Sequence, residues 1–257
     1  MASRAARPQP LTAFVLHSYD WSESSLILDL FTREQGRVAA AAKGAKRPFS
    51  QLRGVLLPFQ RIAVTLGRHA SGEEGAAEVS NLRSADWSGG PAMLTGAALF
   101  SGFYLNELLM KLLARHDPHE RLFDAYAETL PALGDVDDAA VQATLRAFEL
   151  VLLREIGLLP DLGRVTATQQ PAREGERLVL SPEHGVVAAP PFGDAGVDGA
   201  VLAGLQAALD RGSLPALRQA CAAALPPLRG LLRGLLAYHL GTSQLRTRQV
   251  MQSLLNL

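Results

Sequence analysis

The amino-acid sequence predicts an α+β protein in which a small five-stranded barrel is followed by a helical domain. The first ninety residues contain short runs of large aliphatic and aromatic side chains separated by polar turns, a pattern typical of β-strands. From Pro91 onward, apolar residues recur at helical spacing instead. A segment with four prolines, residues 169–198, interrupts the helical part. That segment is expected to be irregular.

The strands of the N-terminal part follow one another closely. We expect them, in chain order, at residues 11–17, 25–31, 36–42, 55–59, 61–66 and 76–82, with a glycine-rich tip at 67–75. The first three segments are separated by polar turns and suit a meander. Ile62, Val64 and Leu66 alternate with other residues, which indicates a half-buried strand. Five or so short strands in about eighty residues suggest a barrel, and the OB-fold is the common five-stranded barrel that binds nucleic acid.

The helices are predicted from apolar periodicity and from their end signals. We place them at residues 92–115, 119–130, 138–156, 197–210, 213–224, 225–240 and 245–255. Acidic residues at 135–138 suit the start of the third helix, and Gly157 suits its end. A hairpin is expected between 177–180 and 185–187. The predicted division is an OB-fold domain at 1–88 and a helical domain at 89–257, with an irregular insertion at about 161–195.

Composition excludes several classes of protein. The chain has 257 residues, of which 48% are apolar, so it can build a substantial core. Cys221 is the single cysteine, which excludes internal disulfides and cysteine-cluster metal sites. Arg229 and Arg233 interrupt the longest apolar run, which is then too short for a membrane helix. No hydrophobic signal core follows the basic N-terminus. We therefore expect a cytoplasmic protein with no membrane partner.

The sequence contains no recognisable catalytic constellation. The phosphate loop, the dinucleotide glycine motif, the nucleophile elbow and the HExxH zinc motif are all absent. His116 and His119 form the only imidazole cluster, but Pro118 breaks the helical register that two metal-binding histidines would use. A hydrolase or nuclease would need an acidic metal cluster, and the densest acids, at 135–138, fit a helix start better. We predict no enzyme activity, no cofactor and no metal.

Charge is unevenly distributed along a chain whose net charge is zero. Residues 1–90 hold 11 basic and 8 acidic side chains, residues 91–200 hold 8 and 16, and residues 201–257 hold 6 and 1. Between Arg33 and Arg68, eight basic side chains face a single acidic one, Glu34. A local excess of this size attracts polyanions even when the whole molecule is neutral. The alternative is an ordinary solvated basic face.

The part of this basic stretch that best suits nucleic acid runs from Arg37, on the predicted strand 36–42, through the loop that follows that strand. Its candidate DNA-binding residues are Arg37, Lys43, Lys46, Arg47, Phe49 and Arg53. Cations neutralise phosphates and release counterions, and an exposed aromatic side chain can stack on a base. In the alternative interpretation, the loop is a mobile basic segment and Phe49 is folded into the core. Composition alone leaves both interpretations open.

Several segments resemble a known family. Residues 13–32, the triplet 36–38, the segment 43–50 and Leu56-Leu-Pro-Phe59 are similar to the N-terminal part of the bacterial recombination mediators of the RecO family. Residues 245–254 resemble the C-terminus of that family. The likeness is specific in the first sixty residues and looser afterwards.

This resemblance implies a DNA-repair factor that is not an enzyme. RecO-like proteins bind single- and double-stranded DNA and anneal complementary strands coated with single-strand-binding protein. With RecR they help load RecA, so a cytoplasmic, nucleoid-associated protein is implied. By the family pattern, the basic positions between Arg37 and Arg53 would contact DNA. Many members carry a four-cysteine zinc site, but residues 161–191 contain no cysteine. The insertion is therefore zinc-finger-like without its metal ligands.

The resemblance also implies a receptor for the tail of single-strand-binding protein, which is acidic and ends in an apolar residue. Such a receptor needs an apolar pocket rimmed by cations. The candidate partner-binding residues, all in the basic last block, are Arg229, Arg233, Tyr238, Arg246 and Arg248. Alternatively, these arginines pair with the acidic central helices. A second class of function also stays open, a protein-interaction scaffold with an incidental basic face and no direct DNA role.

Overall fold

The computed structural model describes residues 9–69, 79–190, 196–242, 244–247 and 249–250. Five strands come first: β1 (Leu11–Asp20), β2 (Leu26–Thr32), β3 (Gly36–Ala42), β4 (Arg61–His69) and β5 (Val79–Trp87). They close into a barrel in the order β1-β2-β3-β5-β4 and back to β1. Every neighbouring pair is antiparallel except β3 and β5. This arrangement confirms the predicted five-stranded OB-like barrel.

The core of the barrel is filled by every second side chain along its strands. The side chains of its core are small or branched and buried: Leu11, Ala13, Val15, Leu28, Leu30, Val38, Ala40, Ala42, Ile62 and Val64. The opposite faces of β1 and β2 are buried as well, because Phe14 and Phe31 pack against Phe123 and Tyr126. The ring centroids of Phe14 and Tyr126 are 5.1 Å apart. Both faces of these strands therefore carry buried apolar side chains. A strand with one face in solvent would instead alternate apolar and polar residues.

One predicted strand is wrong. Residues 55–59 do not form a strand; instead the short helix α1 (Leu52–Val55) occupies the start of this segment. Pro58 makes only an isolated bridge to Val15, since proline has no N–H to donate to a strand ladder. Phe59 is buried with a left-handed φ of 68°. A short apolar run does not distinguish strand from helix by its composition.

The last strand of the barrel is longer than predicted. We expected it at 76–82, whereas β5 runs from Val79 to Trp87. Residues 76–78, and residues 70–75 of the predicted glycine-rich tip, lie outside the described residues.

The helical part follows the prediction closely. Its helices are α2 (Gly96–Leu112), α3 (Glu120–Ala132), α4 (Asp138–Glu155), α5 (Gly199–Asp210), α6 (Leu214–Ala222) and α7 (Leu225–Leu240). Asp137 caps α4, since its carboxylate accepts a hydrogen bond of 3.0 Å from the amide of Ala139. The acidic cluster at 135–138 is thus a helix start, as predicted. In the predicted last helix, 246–247 and 249–250 are helical, and 248 and 251–255 lie outside the described residues.

The irregular insertion contains the predicted hairpin. Strands β6 (Arg177–Ser181) and β7 (Gly185–Ala188) pair, and β8 (Val197–Asp198) joins β6 to complete a three-stranded sheet. Thr166 is linked to Val186 by two hydrogen bonds of 2.8 and 2.9 Å. The hydroxyl and the backbone amide of Thr166 thus connect the segment before the sheet to β7. The described residues contain no group of three metal-ligating side chains.

The chain divides into two compact units. The first comprises the residues up to Leu94 together with Leu105–Ala127, and the second comprises Thr95–Tyr104 together with the residues from Glu128 onward. The domain boundary predicted at residues 88 and 89 stays a prediction. Within the part of the chain that the structure describes, none of the helices has both the length and the hydrophobicity needed to span a bilayer.

Candidate nucleic-acid interface

The basic segment, residues 43–53, leaves β3 and runs into α1. Lys43, Arg47 and Arg53 are exposed within it. Phe49 is 96% exposed, so its ring is not folded into the core. The structure therefore presents three cations and one aromatic ring to solvent, which is the composition that contacts phosphates and bases.

Lys46 has a different position from the other cations of the basic segment. Its Nζ lies 3.0 Å from a carboxylate oxygen of Asp20 and donates to the carbonyl of Ser22 at 3.2 Å. Its backbone amide donates to the carbonyl of Ser24 at 3.0 Å. Lys46 thus links the basic segment to the loop between β1 and β2, residues 21–25, and brings the two segments side by side.

The end of β1 and the β1–β2 loop add two exposed aromatic residues that are not among the predicted site residues. Trp21 is 54% exposed in this loop, and the preceding Tyr19 is also exposed, with its ring 4.5 Å from that of His17. The sequence signal was two aromatic side chains inside a segment that we interpreted only as a polar turn. In OB-folds the loop between the first two strands borders the ligand-binding face, together with the loop between the last two. Here the latter, residues 70–78, lies outside the described residues.

The charge of this region is positive but moderate. The β1–β2 loop and the basic segment, with Tyr19 and Asp20, hold four cations and the two carboxylates of Asp20 and Glu23. Asp20 is offset by Lys46. The exposed cations Lys43, Arg47 and Arg53 are consequently the groups that a polyanion would meet.

Arg37 does not belong to this surface. Its side chain is 14% exposed, and its guanidinium makes two hydrogen bonds, of 2.9 and 3.1 Å, to the carboxylate of Asp29, which is 2% exposed. It also donates to the carbonyls of Met110 and Leu113 at the end of α2. Arg115 approaches the same carboxylate at 3.5 Å. This geometry argues against the predicted DNA contact, because the guanidinium is already committed within the fold.

The second unit contains the residues predicted to bind a partner protein. Arg229, Arg233, Tyr238 and Arg246 are exposed, and Arg248 lies outside the described residues. The structure does not bring all of them together. Arg229 lines a cleft of about 190 Å³, whereas Arg233 lines a depression of about 10 Å³. Among the described residues, the structure shows no ion pair between either of these two arginines and the acidic central helices.

The larger cleft has a cation in its wall. Its lining residues are Gln142, Arg146, Leu225, Pro226 and Arg229. Arg146 is 5% exposed and lies 2.7 Å from Glu149, whose carboxylate also accepts a hydrogen bond of 2.5 Å from Tyr104. The Nε atom of Arg146 has no hydrogen-bond partner among the described residues. Sequence reasoning missed Arg146, although a cation within the apolar stretch of α4 was a readable signal.

The one cysteine is a core residue. Cys221 is fully buried on α6, and burial, followed by the charge of Glu149, raises the pKa of its thiol to about 12. The thiol is therefore protonated at neutral pH and is a poor nucleophile.

Comparison with known proteins covers almost the whole chain. The family described as "Recombination protein O N terminal" matches residues 10–83, and "Recombination protein O C terminal" matches residues 93–249. The chain is 50% identical over 255 residues to the DNA repair protein RecO of Polaromonas naphthalenivorans, covering 99% of each chain. It is 48% identical over 264 residues to that of Acidovorax ebreus, again with 99% coverage of each. These matches confirm the resemblance, and the chain belongs to the RecO family, bacterial DNA repair proteins that act as recombination mediators and not as enzymes.

Proposed function

We propose that the chain binds single- and double-stranded DNA through the exposed side chains of the basic segment and the β1–β2 loop. The observation that carries this proposal is the juxtaposition of Lys43, Arg47 and Arg53 with exposed aromatic rings on two loops joined by Lys46. Point charges on flexible side chains recognise the phosphate backbone without reading sequence. A mediator that acts wherever a gap occurs needs that kind of binding.

Membership of the family supports a set of mediator activities that would use this surface. We propose that the protein anneals complementary strands coated by single-strand-binding protein and, with RecR, helps load RecA. Neutralising the phosphates of two strands lowers their mutual repulsion, which is the main electrostatic barrier to pairing them. Such a role would place the protein at the nucleoid.

The test of DNA binding removes the three exposed cations together. Replacing Lys43, Arg47 and Arg53 with alanine should weaken binding to every oligonucleotide alike. It should also reduce the slope of log affinity against log salt by about 0.7–0.9 per lost phosphate contact. Lys46 is left in place because it links the two loops. The fold should survive, since exposed charges seldom contribute more than about 0.5 kcal/mol each.

A matched control removes the same charge elsewhere in the chain. Arg121, Arg173 and Arg211 are exposed, and their triple alanine variant has the same net charge as the test variant. Fluorescence anisotropy at several salt concentrations should show a reduced slope for the test variant only. Equal slopes in two folded variants would exclude the proposed surface. A chain without salt-dependent DNA affinity would instead favour an interaction scaffold with an incidental basic face.

We further propose that the cleft lined by Arg146 and Arg229 receives the tail of single-strand-binding protein. Leu225 and Pro226 offer an apolar wall for the terminal side chain, and Arg229 offers its charge to the carboxylates of the tail. Arg146 is already paired with Glu149 at 2.7 Å, so the exposed Arg229 is the cation that this cleft offers to an anion. The smaller depression beside Arg233 has less room for a side chain.

Two single substitutions on α7 separate these sites. Arg229→Glu should lower the affinity for a tail peptide at least tenfold, because like charges facing each other across an interface cost several kcal/mol. Arg233→Glu, one helical turn away, should change it less than about threefold. Both variants should still bind naked DNA. Isothermal titration calorimetry with the peptide measures these affinities. Unchanged affinity in a folded Arg229→Glu variant would exclude the cleft as the receptor. A larger effect of Arg233→Glu would instead place the receptor at the smaller depression.

A further inference from the structure

We propose that Trp21 stacks on unpaired bases and so gives the barrel a preference for single-stranded over double-stranded DNA. This inference rests on the DNA binding proposed above and assigns a task to a residue outside the predicted site. Trp21 is 54% exposed at the start of the β1–β2 loop, between Asp20 and Ser22, both of which contact Lys46 of the basic segment. Phosphate contacts by those cations are available in both forms of DNA. The tryptophan supplies a contact that depends on accessible base faces.

The loop holds the backbone of Trp21 in a defined position. The amides of Trp21 and Ser22 both donate to the carbonyl of Ser25, at 3.2 and 3.4 Å. Lys46 adds two hydrogen bonds to the same loop, to the carbonyls of Ser22 and Ser24. An ordered loop that exposes a large apolar ring loses little conformational entropy when the ring is covered by a ligand. The geometry therefore favours a binding role for the ring over a chance exposure.

The chemistry of stacking selects the form of DNA. An indole ring on a base contributes about 1–3 kcal/mol per base, and it requires a base face that no neighbouring base covers. Single strands offer such faces along their whole length, whereas a duplex offers them only at its ends. Removing the ring should therefore weaken single-strand binding and leave duplex binding almost unchanged. Removing Lys43, Arg47 and Arg53 should weaken both.

The chain provides its own spectroscopic control. It has two tryptophans, and the other, Trp87 on β5, is also exposed, with its indole N–H donating to Gln60 at 3.2 Å. In a Trp87→Phe variant, all tryptophan fluorescence comes from Trp21. Titration with oligodeoxythymidylate should quench this fluorescence. An abasic oligonucleotide of the same length, which has the phosphates without the bases, should bind through the cations and leave the fluorescence nearly unchanged.

Affinity measurements complete the test. Trp21→Ala should weaken oligodeoxythymidylate binding about 5- to 150-fold, the equivalent of about 1–3 kcal/mol, and duplex binding by less than about twofold. Trp21→Phe should restore part of the loss, and Trp87→Ala should have no such effect. Three results would each overturn the inference and leave the proposed function intact. Trp21→Ala could lose equal affinity for single strands and duplex, or it could lose none. The abasic oligonucleotide could also quench the fluorescence as strongly as oligodeoxythymidylate does. Failure of the unchanged chain to bind any DNA would overturn the proposed function and, with it, the role of Trp21.

Discussion

Substitution of Gly36 by alanine is expected to destabilise the fold by about 2–5 kcal/mol. Gly36 has a left-handed φ of 66°, and a Cβ atom built there would lie 1.9 Å from the backbone carbonyl oxygen of Asp117. The left-handed conformation costs an alanine about 1–2 kcal/mol, and displacement of packed backbone adds about 1–3 kcal/mol. Urea unfolding followed by circular dichroism measures the loss directly, and a total stability of about 5–15 kcal/mol makes it easy to detect.

Gly157 provides a matched control for this effect. It also has a left-handed φ, of 73°, but no heavy atom lies within 4 Å of a Cβ built there. Gly157→Ala should therefore cost only the conformational part, about 1–2 kcal/mol. Equal losses of unfolding free energy in the two variants would contradict the role assigned to the contact with Asp117.

The close approach at Gly36 is part of how the first unit is assembled. The turn before Gly36 is held by Thr32, whose hydroxyl donates to the Gly36 carbonyl at 2.8 Å and accepts from the amide of Gln35 at 3.1 Å. The amide of His116, next to Asp117, donates to the carbonyl of Arg37 at 2.9 Å. The sequence predicts the turn glycine, but the clash with Asp117 depends on a contact between segments eighty residues apart. Local patterns contain no information of that kind.

The same limit explains which elements were predicted well. Strand β3 and helix α7 have the predicted bounds, because their periodicity and their glycine and proline boundaries agree. The strand predicted at 55–59 was wrong because its few apolar residues suit either structure, and its proline could not join a ladder. Trp21 is not among the predicted site residues, because the composition of its segment, residues 19–24, is that of a polar turn.

Arg37 shows why charge alone does not locate a binding site. On β3, Val38, Ala40 and Ala42 face the barrel core, so Arg37 points to the opposite face, together with Ala39 and Ala41. An arginine on the outer face of a barrel strand suggests that this face is in contact with solvent. In the structure Ala39 and Ala41 are buried, and Arg37 contacts the end of α2 on that face. Periodicity gives the direction of a side chain within a strand, but not the element that covers it.

Arg37→Ala is expected to cost about 3–5 kcal/mol of unfolding free energy, because it leaves the buried carboxylate of Asp29 without its bidentate partner. The carbonyl of Leu113 loses its hydrogen bond in the same variant. Lys43→Ala, six residues away on the exposed segment, should leave stability within about 0.5 kcal/mol.

Arg37→Ala should have the larger effect on stability, and Lys43→Ala should have the larger effect on DNA binding. This difference distinguishes a structural arginine from a DNA contact. At a temperature where both are folded, Arg37→Ala should retain the salt slope of the unchanged chain, and Lys43→Ala should lower its magnitude by about 0.7–0.9. The double variant Arg37→Met with Asp29→Leu should recover part of the lost stability, because no charge is then left buried without a partner. The recovery is only partial, since Arg115 loses its contact with Asp29 in this variant. If Arg37→Ala is as stable as the unchanged chain and binds DNA less tightly, the assignment is reversed, and the predicted contact at Arg37 stands after all.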